Sequence, residues 1–140
     1  MRIPLPGNLG QRAVAAVLAL ALALALALAG TVLADPAPKA RVLVQATLAA
    51  GLRHYEAKAV WDRMQAGDPL LLVREPANAH DPNAVRVDWD GHDLGYLPQA
   101  DNADIARQLD RGQPLKARIA KLAKYRNHRR KLEVEIYIEL

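Results

Sequence analysis

Apolar residues follow two different patterns along the chain. From Ala13 to Ala29 they form an almost unbroken run of Ala, Val and Leu, whereas after Asp35 they recur at short spacings between polar residues. A continuous apolar run suits export or a membrane, while periodic spacing is typical of the strands and helices of a globular domain. The pattern therefore divides the chain into an apolar head and a mature part that begins at Asp35.

The mature part contains segments with strand-like and with helix-like spacing. Val42 to Leu48 has the two-residue period of a strand, and Asp90-Gly91 is a hairpin-turn dipeptide. Strands are predicted at 42–48, 70–73, 84–89, 92–97, 115–122 and 132–140, and helices at 57–65 and from Asp101 or Asn102 to Asp110. About six short strands and two short helices indicate an α+β, mainly β domain that resembles a small barrel.

The head, residues 1–34, has the three parts of a secretory signal peptide. Arg2 and Arg12 supply the positive start, the apolar run follows, and Val32 and Ala34 are the small residues before a cleavage point. An uncleaved anchor is the alternative, because the run is long enough to span about 30 Å as a helix. Gly30 and Thr31 interrupt the run and favour cleavage.

Both interpretations place the rest of the chain outside the cytoplasm. We expect it in the periplasm or on the outer face of the inner membrane, with membrane association if the signal stays uncleaved. Residues 35–41, which include Pro36 and Pro38, are predicted to be a linker, and residues 42–140 to be the domain.

The size and composition of the mature part exclude several enzyme classes. A chain of this length supports one small core, and it carries no Walker-type or GxGxxG glycine pattern. The chain has no cysteine, which excludes thiol catalysis, disulfides and cysteine-bound zinc. Its four histidines lack metal-ligand spacing. We therefore expect a binding module.

Positive charge is concentrated near the C-terminal end. Residues 111–131 hold nine Lys and Arg and no acidic residue, whereas residues 35–110 hold eight Lys and Arg and twelve acids. Three interpretations are open: a solvated hairpin, a contact with an anionic membrane surface, and a nucleic-acid-binding strip with Tyr125 and His128 interleaved. The basic strip consists of Lys116, Arg118, Lys121, Lys124, Arg126, Arg129, Arg130 and Lys131.

A polar loop is the second candidate site. Residues 75–83 contain two prolines and two asparagines and cannot form regular structure. If the fold brings this loop beside Arg53-His54-Tyr55, the two would form a pocket with rings for a base, an arginine for phosphate and Asp81 for a sugar hydroxyl. The alternative is that Asn78 and Asp81 only form Asx turns.

Several motifs, taken in order, resemble the HIRAN domain. They are Gly51 to Tyr55, Gly67 to Leu70, Arg74 to Val85, Gly95 to Pro98 and Asn102 to Ile105. The resemblance covers about residues 42–138. It implies an OB-like fold and a domain that occurs both fused to DNA-remodelling enzymes and alone in bacteria. Zinc binding and acid-anhydride hydrolysis, which often accompany the family, belong to its multidomain members, so no cofactor is expected here.

The resemblance also assigns roles to individual residues. In the DNA-remodelling members the domain holds the 3′-hydroxyl end of single-stranded DNA. By similarity, Asp81 would accept a hydrogen bond from that hydroxyl, and Asn78 would line the pocket. His54 and His80 occupy the places of two tyrosines that sandwich the terminal base. Arg53 would contact phosphate, and Tyr96 would lie on the phosphate side.

The sequence therefore predicts an exported module that binds single-stranded DNA or another nucleic acid and performs no chemistry. The residues predicted to bind are Arg53, His54, Tyr55, Asn78, His80, Asp81, Tyr96, Lys121, Lys124, Arg129 and Arg130. One alternative is a metal-dependent hydrolase of phosphoesters or acid anhydrides that uses the His-Asp-Asn loop. Pro82 argues against it, because the helical His-Asp pair of such enzymes is disfavoured before a proline. The other is an envelope protein whose basic strip contacts anionic lipid or a protein partner.

Overall fold

The computed structural model describes residues 13–18, 20 and 35–140. Residues 13–18 and 20 are helical, and the rest of the predicted signal peptide, with its cleavage point, lies outside the described residues. Across the described ranges, no helix is long and apolar enough to span a membrane. Residues 35–40 carry no regular structure, and Lys39–Leu140 form one unit.

Six antiparallel strands form the framework of this unit. They are β1 Arg41–Leu48, β2 Pro69–Arg74, β3 Val85–Trp89, β4 His92–Tyr96, β5 Lys116–Lys124 and β6 Arg130–Glu139. Their order in the sheet is β1-β6-β5-β2-β3-β4. Alternate residues of β6, namely Leu132, Val134 and Ile136, are fully buried. Each such side chain contributes about 1.5–3 kcal/mol of hydrophobic stabilisation.

Two short helices cover the core. Helix α1 spans Ala57–Val60 and continues as a 3-10 turn over Trp61–Arg63, and helix α2 spans Ala103–Asp110. The predicted helix at 57–65 is thus too long, because Met64 has an extended backbone and ends the helical path. The apolar spacing still has its expected result, since Val60, Trp61 and Met64 are all buried.

The sheet is mainly antiparallel β, as predicted, but it does not close into a continuous barrel. Its two edge strands are connected instead by a bridge just beyond β1, where Ala50 and Tyr96 exchange backbone hydrogen bonds of 2.7 and 3.0 Å. Gly95 makes this approach possible, because a Cβ atom there would lie 2.3 Å from the Ala50 carbonyl oxygen. Gly95 also has a φ of +136°, which side-chain-bearing residues rarely adopt.

The basic segment between the last two strands is more regular than predicted. Strand β5 continues to Lys124 and β6 already begins at Arg130, so only residues 125–129 connect them. The apolar pattern had predicted that the first of these strands ends at Leu122 and that the second begins at Leu132. Cross-strand pairing continues past those residues, and Lys124 pairs with Arg130 at the end of the ladder.

Candidate nucleic-acid interface

The loop between β2 and β3 is shaped by its own side chains. The Asn78 Oδ1 atom accepts hydrogen bonds from the backbone N–H groups of His80 (2.9 Å) and Asp81 (3.2 Å). The Asp81 Oδ1 atom accepts from the backbone N–H of Asn83 at 2.8 Å. These are the Asx turns that the sequence offered as an alternative, and they hold the loop in one shape.

Asp81 is also tied to the start of helix α2. The Asn102 side-chain amide donates a 2.6 Å hydrogen bond to Asp81 Oδ2. Asn102 is almost fully buried at the N-cap position, and its side chain does not cap the helix. The sequence indicated Asn102 only as a possible helix start and a motif position. Each Asp81 oxygen keeps further acceptor capacity, because an ionised carboxylate offers about four lone-pair sites.

Glu75 organises the base of the loop. Its Oε1 atom accepts from the Tyr96 hydroxyl (2.8 Å) and from Asn78 Nδ2 (3.2 Å), and its Oε2 atom accepts from Arg86 (2.8 Å). Burial raises the pKa of Glu75, but these hydrogen bonds and the Arg86 charge outweigh burial and leave the pKa below its usual value. Burial, followed by the hydrogen bond to Glu75, raises the pKa of Tyr96.

This network decides what Tyr96 can do. Its single hydroxyl proton is donated to Glu75, so the side chain has no donor left for a phosphate oxygen. Its ring instead packs against that of Tyr55, with centroids 5.5 Å apart at an angle of 59°. Tyr55 is 40% exposed and Tyr96 is half-buried, so Tyr55 is the more accessible ring of the pair.

A cleft of about 240 Å³, which we call the loop pocket, opens between this loop and the segment after β1. It brings together six predicted site residues: His54, Tyr55, Asn78, His80, Asp81 and Tyr96. The rest of its lining is mainly small or apolar, and includes Ala50, Gly51, Ala84, Leu97 and Pro98. Four of these residues, Gly51, Ala84, Leu97 and Pro98, lie within the motifs that resemble the HIRAN domain, but they were not among the residues predicted to bind.

A second cleft, the hairpin cleft, lies beside the first and has a volume of about 560 Å³. Gly51 and His54 line both clefts, so the two adjoin. Arg53 lines the hairpin cleft rather than the loop pocket, and its Nε atom donates to His54 Nε2 at 3.0 Å. The opposite lining comes from the end of the β5–β6 hairpin: Asn127, His128, Arg129, Arg130 and Lys131.

The basic strip separates into parts with different surroundings. Lys116 pairs with Glu139 (2.6 Å) and Arg118 with Glu135 (2.7 Å), so acids on β6 neutralise its first two cations. Lys121 and Lys124 are exposed on β5 and line neither cleft. Arg129 and Arg130 line the hairpin cleft together with Lys131, which was not among the predicted site residues.

No group of three His, Asp or Glu side chains in the described part of the chain is arranged to hold a metal ion. His80 and Asp81 lie in the loop and not on a helix.

Residues 42–140 match the HIRAN domain family. The chain is similar to a Fanconi-associated nuclease 1 homolog from Oryza sativa subsp. japonica, with 40% identity over 52 residues. That match covers 34% of this chain and only 5% of the rice protein.

Two solved structures share the fold. A crystal structure of a Lactobacillus plantarum protein has a TM-score of 0.59 and 26% identity, and the match covers 72% of this chain and all of that one. The HIRAN domain of human HLTF has a TM-score of 0.55 and 20% identity, over 69% of this chain and 77% of that one. With the family match over residues 42–140, the chain belongs to the HIRAN domain family.

Proposed function

We propose that this protein is an exported nucleic-acid-binding module that holds the 3′ end of single-stranded DNA and performs no chemistry of its own. The observation that carries the proposal is the composition of the loop pocket, which combines a carboxylate, an amide and four aromatic or imidazole rings in one cleft. This is the set of groups that a terminal nucleoside requires: rings for the base and an acceptor for the sugar hydroxyl.

The roles within the pocket follow from its hydrogen bonds. Asp81 holds the loop with one partner on each oxygen and has lone pairs left for a ligand hydroxyl. His54 and His80 are exposed and line the pocket, so their rings are available to a base. Asn78 acts by shaping the loop, since its oxygen accepts from two backbone N–H groups and its nitrogen donates to Glu75.

The experiment is a binding comparison on purified protein. Fluorescein-labelled single-stranded oligonucleotides that end in a free 3′-hydroxyl are compared with the same oligonucleotides carrying a 3′-phosphate. A hydrogen bond from the free hydroxyl to a carboxylate is worth about 1.5–3 kcal/mol, which predicts roughly ten- to over a hundredfold tighter binding of the free end. Equal binding of both ends would refute end recognition, and no binding of either would refute nucleic-acid binding.

Export is the second part of the proposal. It is supported by the order of positive residues, apolar run and small residues in the head. Cell fractionation with an antibody to the mature part should find the protein in the periplasm or on the outer face of the inner membrane. Full-length protein in the soluble cytoplasmic fraction would contradict it.

A further inference from the structure

Exposed apolar side chains gather where the chain enters the domain. Val42 and Leu43, at the start of β1, are 49% and 58% exposed, and Leu140, just after β6, is 78% exposed. The backbone N–H of Leu140 donates to the Ala40 carbonyl at 2.9 Å, and Val42 pairs with Ile138. Val42, Leu43 and Leu140 therefore lie at one end of the sheet, which we call the entry corner. Apolar residues exposed as a group mark a contact with a membrane or with another molecule.

Positive charge surrounds the entry corner. Lys39, Arg41 and Lys116 share the single carboxylate of Glu139, at distances of 3.9, 3.7 and 2.6 Å. Three cations around one acid leave this end of the sheet positive. A symmetric contact between two copies of the chain would bring these like charges together. Anionic phospholipid headgroups attract them instead, and apolar residues beside cations are the combination found on surfaces that lie in a membrane interface.

The linker limits how far the entry corner can be from the apolar head. Six residues, 35–40, precede β1 and have no regular structure. An extended chain covers at most about 3.6 Å per residue, so these residues reach roughly 22 Å at most. The head carries the long apolar run from Ala13 to Ala29, which suits export or a membrane. A head held by lipid would thus keep the start of β1 within that distance of the membrane.

We propose that the entry corner rests on the headgroup region of an anionic phospholipid membrane. Val42, Leu43 and Leu140 enter the boundary between headgroups and acyl chains, while Lys39 and Arg41 keep their charges among the headgroups. The contact is shallow, because β1 is an edge strand of the sheet and its unpaired backbone N–H and C=O groups would be costly to place in hydrocarbon.

This orientation leaves both clefts open to water. Gly51 lines the two clefts and follows the far end of β1. A strand rises about 3.3 Å per residue, so β1 carries the chain about 20 Å away from the entry corner between Val42 and Leu48. The inference shares only the export part of the proposed function, and it does not depend on oligonucleotide binding.

The test measures the depth of a single fluorescent label in the full chain bound to vesicles of phosphatidylglycerol and phosphatidylethanolamine. The chain has no cysteine of its own, so Leu43→Cys takes one NBD label at the entry corner. The emission of this label should shift to the blue when vesicles are added. Lipids with a nitroxide near the headgroup should quench it more than lipids with a nitroxide at the end of the acyl chain.

Leu48→Cys is the matched control, because Leu48 is an exposed leucine at the other end of the same strand. Its label should keep the emission of a group in water. Equal quenching at the two positions, or no quenching at position 43, would overturn the proposal. A blue shift at position 43 that needs no vesicles and grows with protein concentration would also overturn it, because a second copy would then cover the corner.

Two further comparisons separate the apolar from the charged contribution. With the label at Leu140→Cys, Leu43→Asp should reduce quenching by lipid nitroxides, whereas Leu48→Asp should leave it unchanged. Replacing phosphatidylglycerol with neutral phosphatidylcholine should reduce quenching at position 43, and unchanged quenching would overturn the role of anionic lipid. None of these measurements uses an oligonucleotide or needs export, so a negative result refutes the entry-corner contact and leaves the proposed function intact.

Discussion

The side-chain amide of Asn102 donates a 2.6 Å hydrogen bond to the carboxylate of Asp81, and this bond joins the first turn of α2 to the loop 21 residues earlier. Asn102 is 1% exposed, so water cannot replace it. Asp81 therefore has two functions in this structure: it closes an Asx turn within the loop, and it connects the loop to the core. Any role for Asp81 in ligand binding depends on Asn102 to position it.

Replacing Asn102 with alanine should destabilise the protein by about 1–3 kcal/mol, because it leaves one Asp81 oxygen without its partner. The free energy of unfolding from urea titration measures this. Asn83→Ala is a matched control, since the Asn83 side chain is exposed and only its backbone N–H is used. If the two variants are equally stable, the Asn102–Asp81 bond is not important to the fold.

Asp81→Asn should abolish the preference for a free over a phosphorylated 3′ end. The neutral side chain keeps one oxygen, which still accepts from the Asn83 N–H, so the loop turn persists. Its amide nitrogen cannot accept from Asn102, so the bond to Asn102 is lost together with the charged acceptor for the hydroxyl and the repulsion of a 3′-phosphate. Anisotropy titrations with both ends measure the change. Asp62→Asn makes the same charge change at an exposed site away from the pocket and should keep the preference. An Asp81→Asn protein that still discriminates would exclude Asp81 as the end-reading group.

His80→Tyr should strengthen binding of oligonucleotides. A phenol ring offers more stacking surface than an imidazole ring, and stacking is worth about 1–3 kcal/mol per base, so a gain of about fivefold is expected at the low end. His80→Ala and His54→Ala should weaken binding of both free and blocked ends. Both histidine side chains are exposed, so these changes should not affect the fold. Unchanged affinity in all three would show that no base stacks there.

Gly95→Ala should destabilise the protein strongly, by at least about 2 kcal/mol. The added Cβ would meet the Ala50 carbonyl oxygen at 2.3 Å and would also be strained at a φ of +136°. Gly112→Ala is a comparison at another positive φ, because Gly112 has a φ of +74° but nothing within 4 Å of an added Cβ. A larger loss of thermal stability for Gly95→Ala then reflects the contact with Ala50 together with the more strained φ of Gly95. Similar midpoints would mean that the chain relieves the contact between an added Cβ at position 95 and Ala50 with little loss of stability.

Glu75→Gln should change how stability depends on pH. The pKa of Glu75 in the folded state lies below its ordinary value of 4.5, so the ionised form stabilises the fold above about pH 4.5. That contribution is lost as the pH falls through the lower folded-state pKa. Urea midpoints from pH 7 down to pH 3 should show a stability gap between wild type and variant that is widest near neutral pH and closes in acid. If the stability difference between wild type and variant did not depend on pH, ionised Glu75 would not be the form that stabilises the fold.

The elements that could be predicted from sequence are those that depend on local spacing. The alternation at 42–48 forms strand β1, the Asp90-Gly91 turn joins β3 to β4, and the apolar residues around Trp61 are buried. Of the alternating residues in β1, Val42 and Leu48 nevertheless stay exposed. The predicted end of β5 and the predicted start of β6 are wrong by two residues each, because cross-strand pairing continues beyond the apolar residues to Lys124 and Arg130.

For the site, six of the residues predicted to bind line one pocket, while Arg53 lies in the other cleft, and their binding of a ligand stays a prediction. Sequence spacing and family resemblance could not show that the Tyr96 hydroxyl is bound to Glu75 or that Asn102 holds Asp81, since these contacts join residues 21 positions apart. They also could not separate the neutralised part of the basic strip from the part beside the hairpin cleft. That division depends on acids that β6 places across from Lys116 and Arg118.

The turns made by Asn78 and Asp81 have a consequence for how fast a ligand could bind. A loop of nine residues would normally lose conformational entropy when it orders around a ligand, at about 1–2 kcal/mol per residue. Here the side-chain hydrogen bonds to backbone N–H groups, together with Asn102, order the loop during folding. Capture of a strand end would then need no slow rearrangement, and the rate of association would be set by diffusion and charge.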